Sequence, residues 1–441
     1  MLPDLAADLS RLPSERLVDL LVELAASDPG VDRRLRLVLQ GDAGSTRELA
    51  RTVDATLRTR RFLDYRESIA YARDAAPVVE ALERAADGPS ARDVVPVVER
   101  ALKHVLRVLH HGDDSAGTCG DVARQLLRLH ATAARNGRPD AGKLLRWLVQ
   151  FTFDDQDLFN PDVRDYAEVL GDDGVARYRA EVRRRLQVGP EAFAPRHALK
   201  QLALLDRDAE AIVREFGGEL DGVYRFIAVA TAFREIGDDD AALTWARRGI
   251  ELPATWQSRQ LYDLVDQVLV EPGTLDEAVE QRVVGLRALP DPTSYAALRT
   301  AAERTGRWPQ LRPDALRTLR ERALDHYLQA LLQDGDVEAA WQAVQDEPGV
   351  APELTELQVA TARAESHPGD AVPYVRRAVA ETLQQADRRA YRSAVKQLVL
   401  LRRLHQRAGT PGEFAIYLAG VAQANRRRPS FLDELRRAGL S

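Results

Sequence analysis

From about Leu199 onward, helix-breaking signals recur at a nearly constant interval. They stand at Gly237-Asp238-Asp239-Asp240-Ala241-Ala242, Gly273-Thr274-Leu275-Asp276-Glu277-Ala278, Gly306-Arg307-Trp308, Gly335-Asp336-Val337-Glu338-Ala339-Ala340 and Gly369-Asp370-Ala371. Successive spacings are 36, 33, 29 and 34 residues. Between them, apolar residues follow the helical period of i, i+3, i+4 and i+7. A glycine ends a helix cheaply because it accepts a left-handed conformation, and an acidic residue favours the start of the next helix. Each unit therefore reads as a helical hairpin. A lone hairpin leaves its apolar stripe exposed and is stable only when stacked on a neighbour.

This period is that of tetratricopeptide-like helix–turn–helix units, about 34 residues long. In the best unit, Tyr224 to Pro253, Ala242 takes the close-contact position and Leu243 and Ile250 form the apolar stripe. Pro253 closes the second helix, and Gly249 stands where the pattern usually has Ala. The expected fold is all-α, an α-solenoid of tetratricopeptide-like hairpins.

Residues 1–198 show longer helical runs without a clean period. The first puts Leu17, Leu20, Leu21 and Leu24 on one face between Pro13-Ser14-Glu15 and Asp28-Pro29-Gly30, and others lie near 31–40, 45–62, 65–86, 91–111, 119–136, 139–152, 162–170 and 173–187. No stretch alternates with period two between hairpin turns, so no strand is expected. The anticipated organisation is an irregular helical region over 1–198 and repeats with a basic cap over 199–441, with a bend near Val188–Pro195. The start is acidic and lacks the basic, then apolar, character of a signal peptide. The longest apolar runs, such as Leu398–Leu401, are far short of the roughly 20 residues that cross a bilayer. The reading is a cytoplasmic protein with no membrane partner.

Candidate chemistry is sparse. The eight His lie at 104, 110, 111, 130, 197, 326, 367 and 405. Lys103-His104, His110-His111, Cys119 and His130 cluster along the chain, but their spacing matches no closed ligand set. The clusters Asp113-Asp114-Ser115, Asp154-Asp155-Gln156-Asp157 and Asp172-Asp173 sit at helix junctions and fit no calcium-loop pattern. N-capping and helix dipoles account for them. Cys119 is the only cysteine, which excludes internal disulfides and Cys-rich zinc sites. It reads as a small residue in a helix's first turn. No nucleophile elbow or phosphate-binding glycine loop is present. Neither a catalytic residue, a metal nor a cofactor is expected.

Charge is distributed unevenly. Residues 376–441 hold fourteen Lys/Arg and five Asp/Glu, a net +9, so the rest of the chain carries −15 of the overall −6. On a helix over 388–407, Arg388, Arg392, Lys396, Arg403 and Arg407 fall within a sector of about 100°. Ala394, Leu398, Leu401 and Leu404 lie opposite. Such a stripe suits phosphates, or serves as the polar face of a terminal cap. Tyr391, Phe414 and Tyr417 read as core residues, so rings for base stacking do not interleave with the arginines.

Several segments resemble a known family. They are His367-Pro368-Gly369-Asp370-Ala371-Val372-Pro373-Tyr374, Asp387-Arg388-Arg389-Ala390-Tyr391-Arg392-Ser393-Ala394-Val395, Gly412–Leu418 and Arg426-Arg427-Arg428-Pro429. Further upstream come Asp113–Gly117, His130, Arg138-Pro139-Asp140, Leu144–Leu148, Asp165-Tyr166-Ala167 and Tyr178-Arg179. Together they resemble the helical region that follows the zinc finger in bacterial SWIM-type zinc-finger proteins, over roughly 14–440. In that family a Cys-x-Cys…Cys-x-His finger precedes the helical part and is associated with DNA or protein binding, sometimes beside Swi/Snf-type ATPases. One cysteine cannot build that finger, so the resemblance implies a helical module without its metal function. The expectation is a non-enzymatic scaffold for a protein or peptide partner. The alternative is a nucleic-acid accessory factor that uses the basic stripe.

Overall fold

The structure is a computed structural model and describes residues 9–27, 31, 46–270 and 273–440. The helical run expected over 31–40 falls almost wholly outside these residues. Among the described residues there are 22 α-helices, short 3₁₀ and π turns, and no strand. The all-α expectation holds. No helix among the described residues is long and apolar enough to cross a membrane. The chain divides into two compact units at Gly218/Glu219.

The first unit contains α1 (Ser14–Ser27), α2 (Thr46–Leu57), α3 (Tyr65–Asp87), α4 (Ala91–His111), α5 (Thr118–Gly137), α6 (Ala141–Gln150), α7 (Ala167–Val188), α8 (Phe193–Asp206) and α9 (Ala209–Ile212). Local chemistry sets the ends. Asp64 accepts bonds from the Arg66 and Glu67 amides at the start of α3, and Glu67 reaches back to the Asp64 amide. Asp114 accepts from the amides of Cys119 and Gly120, each at 2.9 Å, and so caps α5. The runs read as 162–170 and 173–187 are joined into α7, kinked at Gly171 with φ 64°. Val94, Val98, Ala101, Leu102 and Val105 of α4 share its buried face and pack against Ala123, Leu126, Ala133 and Ala134 of α5. Ala198 and Leu202 of α8 belong to this same core, so 199–218, which the sequence reading joins to the repeats, lie in the first unit. Helix α1 buries none of its residues.

The second unit is a series of helical hairpins: α10 (Val223–Glu235) with α11 (Asp239–Ile250), α12 (Arg259–Val268) with α13 (Leu275–Ala288), α14 (Pro292–Arg304) with α15 (Trp308–Arg322), α16 (Leu324–Gln333) with α17 (Val337–Asp346), and α18 (Glu353–Arg363) with α19 (Val372–Thr382). It ends in α20 (Arg388–Arg407), α21 (Pro411–Ala424) and α22 (Pro429–Arg437). First helices stack on one another: α10 on α12, α14 on α16, α16 on α18. This is the helical-repeat architecture the period implied. Gly237, Gly306 and Gly335 end α10, α14 and α16 with φ of 73°, 69° and 75°. Gly369 behaves differently and lies inside a 3₁₀ turn, Pro368–Ala371. Asp238 and Asp336 cap the second helices through the amides of Ala241 and Ala339. Ala242 and Ala340 are fully buried, as close helix contact demands.

Candidate binding groove

A groove in the first unit lies between the exposed side of α4 and the end of α6, with a volume of about 980 Å³. Helix periodicity builds one wall. The buried valines and alanines of α4 turn Lys103, Arg107, His110 and His111 outward, at i, i+4, i+7 and i+8. The facing wall carries Trp147 and Phe151, stacked with centroids 5.0 Å apart, and Gln150 and Asp155. Pro96 and Leu106 add apolar surface.

Not every charge in the groove is free. Arg100 and His104 both bond to Asp54 of α2, at 2.7 and 2.9 Å. The His104 hydrogen bond is the main reason the Asp54 carboxyl is held below its ordinary pKa. Asp155 accepts a bond from Gln150 at 3.0 Å. Lys103, Arg107, His110 and His111 have no carboxylate partner among the described residues.

Behind the aromatic wall sits His130, fully buried and stacked on Trp147 with centroids 3.8 Å apart. Its Nδ1 lies 3.1 Å from the Tyr166 hydroxyl. Its Nε2 lies 3.5 Å from Glu99 Oε1 on the groove wall and makes no hydrogen bond. Burial drives the imidazole pKa down, with Glu99 opposing. Neutral His130 therefore fixes one face of Trp147, and Phe151 stacks on the same indole, so only part of the ring borders the groove.

The residues singled out in the sequence are scattered over the two units. The His–Cys series does not converge: His104 pairs with Asp54, His130 is core, His110 and His111 are exposed, and Cys119 is buried. Burial pushes the Cys119 thiol up to about 12, which leaves it inert near neutral pH. No group of three or more His, Cys, Asp or Glu placed to hold a metal occurs among the described residues. Asp113 accepts from Ser115, whereas Asp154 pairs with Arg185 and does not cap a helix.

The basic stripe has the geometry expected of it. Helix α20 spans Arg388–Arg407 and is capped by Asp387. Arg388, Arg392, Lys396, Arg403 and Arg407 are exposed, and Ala394, Leu398, Leu401 and Leu404 are buried opposite. Arg407 is engaged by Glu365, through its carbonyl at 2.7 Å and its carboxylate at 3.8 Å. Tyr391 and Phe414 are core, and Tyr417 is partly buried.

Along the chain, Lys103–His111 reads as a candidate cluster of metal ligands, and that pattern does not reveal the groove. The signal that does is a row of basic side chains, Lys103, Arg107, His110 and His111, at helical spacing with no acid between them. Its aromatic partners come from a helix some 40 residues later in the chain.

No curated protein matches the chain. Among solved structures, a crystal structure of yeast Tom70 is similar at 12% identity, covering 92% of this chain and 95% of that one, with a TM-score of 0.20. A circular tandem repeat protein with novel repeat topology and enhanced subunit contact surfaces is similar at 17% identity, covering 97% and 94%, with a TM-score of 0.15. A family model matches residues 5–230, which include every residue of the groove, and the chain thereby belongs to a family of unknown function, DUF6880.

Proposed function

We propose that this protein is a non-enzymatic helical-repeat scaffold that binds a protein or peptide partner through the α4–α6 groove. The observation that carries this reading is the pairing of the half-buried Trp147, backed by buried Phe151, with Lys103 and Arg107, which have no carboxylate partner among the described residues. Aromatic and arginine side chains in a concave, partly dry site are what protein interfaces use as anchors. Support for a non-catalytic role comes from Asp54 behind the groove, which holds Arg100 and the Nε2 of His104 in ion-pair contact.

A second reading, a nucleic-acid accessory factor, is favoured by Arg388, Arg392, Lys396 and Arg403, exposed along α20 without carboxylate partners among the described residues. One experiment separates the two. A photo-crosslinking amino acid is placed at Arg107 or at Arg392 in the full chain, and adducts formed in the native host are identified. Protein adducts at position 107 support the scaffold. Nucleic-acid adducts at 392, with none at 107, overturn it in favour of the accessory factor.

A further inference from the structure

We propose that the occupant of the groove is an acidic peptide segment, its carboxylates against Lys103, Arg107, His110 and His111 and an apolar side chain against Trp147. This rests on the scaffold reading and adds the chemistry of the partner. Three observations lead to it. The first is length: Pro96 to His111 covers about 22 Å of helix at 1.5 Å per residue. That distance accommodates roughly six or seven extended residues, more than a compact metabolite needs.

The second is charge. Arg100 and His104 both contact the Asp54 carboxylate, while Lys103 and Arg107, one turn apart, have no carboxylate partner among the described residues, and His110 and His111 continue the row. An occupant with carboxylates at matching intervals satisfies these donors. The row ends in the last turn of α4, where exposed carbonyls favour positive charge beside His110 and His111.

The third observation separates a peptide from a nucleic acid. A base stacks on a free ring face, but His130 covers one face of Trp147 at 3.8 Å and Phe151 lies stacked at 5.0 Å. The indole therefore offers an edge and a partial face, which suits an aliphatic or aromatic anchor. Glu99 and Asp155 also line the groove. They repel a continuous phosphate backbone, whereas a peptide can place uncharged groups beside them.

The test is selection of a random peptide library displayed on phage against the immobilised full chain, followed by titration of labelled synthetic winners. The result expected is enrichment of peptides with two or more Asp or Glu flanking an apolar residue. Their affinity should fall at least tenfold in Lys103→Glu/Arg107→Glu, and should weaken with added salt. Both positions are exposed, so this variant keeps its helical circular dichroism and Tm. Trp147→Ala should also lose binding. Winners without acidic bias that are lost only in Trp147→Ala would overturn the acidic assignment and leave the protein-binding reading standing. Failure to enrich any peptide, with retention of single-stranded DNA by the same surface, would sink both. Preference for phosphoserine over glutamate in matched peptides would also overturn the assignment, to a phosphopeptide site.

Discussion

Replacing Gly137 with Ala tests whether the groove wall depends on one close helix contact. Gly137 is the last residue of α5, and a Cβ built on it lies 2.2 Å from Arg92 N, 2.4 Å from Arg92 Cα and 2.5 Å from Ala91 C. All three are backbone atoms at the start of α4, so no rotamer change relieves the clash. An ordinary contact near 3.5 Å requires that turn to retreat by about 1 Å or more. Overpacking of a tight site costs about 1–3 kcal/mol, and a backbone obstacle places this case at the upper end. Ala gains back a fraction of its 0.5–1 kcal/mol helical advantage, since the position is terminal. The net is a loss of about 2–3 kcal/mol. For a unit of 218 residues this lowers Tm by about 5–10 °C. Differential scanning calorimetry of the full chain measures it. Gly420→Ala is the counterpart: the site sits inside α21 with nothing within 4 Å of the added Cβ, so stability should rise by about 0.5–1 kcal/mol. A Tm for Gly137→Ala within about 1 °C of the parent would refute the reasoning, because it would mean that α4 is not held where its wall is drawn.

Other consequences follow from burial and charge. Burial lowers the pKa of His130, His197 and His405, so the unfolded chain takes up protons first as pH falls below the ordinary value of about 6.5. Stability conferred by neutral burial is present above that pH and is lost as pH falls through the folded values. Tm should decline from pH 7 to pH 5, and His130→Asn should flatten the decline; a Tm independent of pH in the parent would contradict the assignment. Arg282 is nearly buried in α13 and bonds to Asp263 and Asp266, while burial holds the Asp266 pKa up. Arg282→Leu leaves Asp266 unpaired and should cost about 2–3 kcal/mol, less than a fully buried pair because water still reaches the acid. Urea denaturation measures it, and Arg282→Leu/Asp266→Leu should recover most of the loss. Since α1 buries no residue, Leu21→Ser/Leu24→Ser should change stability by no more than about 0.5 kcal/mol, measured by the same titration.

Much of the fold was legible because it is local. The helix over 388–407, its buried Ala394–Leu404 face and its outward arginines follow from periodicity alone, and the structure places each of them so. The glycine turns at 237, 306 and 335 were equally readable, since a left-handed residue after a helix is a property of one position. Gly249 shows where local reading stops. The repeat pattern marks it as unusual, but only its neighbours explain it: a Cβ there would lie 2.7 Å from both Phe226 Cβ and Leu261 Cδ1. The candidate site was less accessible. Sequence placed Lys103, Arg107 and His110 on one helix, yet nothing along the chain says that Trp147 faces them or that His130 lies behind it.

Sequence by itself determined the all-helical class, the hairpin period and the charge asymmetry, because apolar spacing, glycine conformation and net charge are properties of neighbouring residues. Tertiary structure alone decided which charges remain available. Asp54 pairs with Arg100 and His104 from about 50 positions away, and Lys103 and Arg107 have no carboxylate partner among the described residues. A cation's usefulness to a ligand depends on whether the fold has already given it an anion, and that pairing is set by how helices pack, not by their order in the chain.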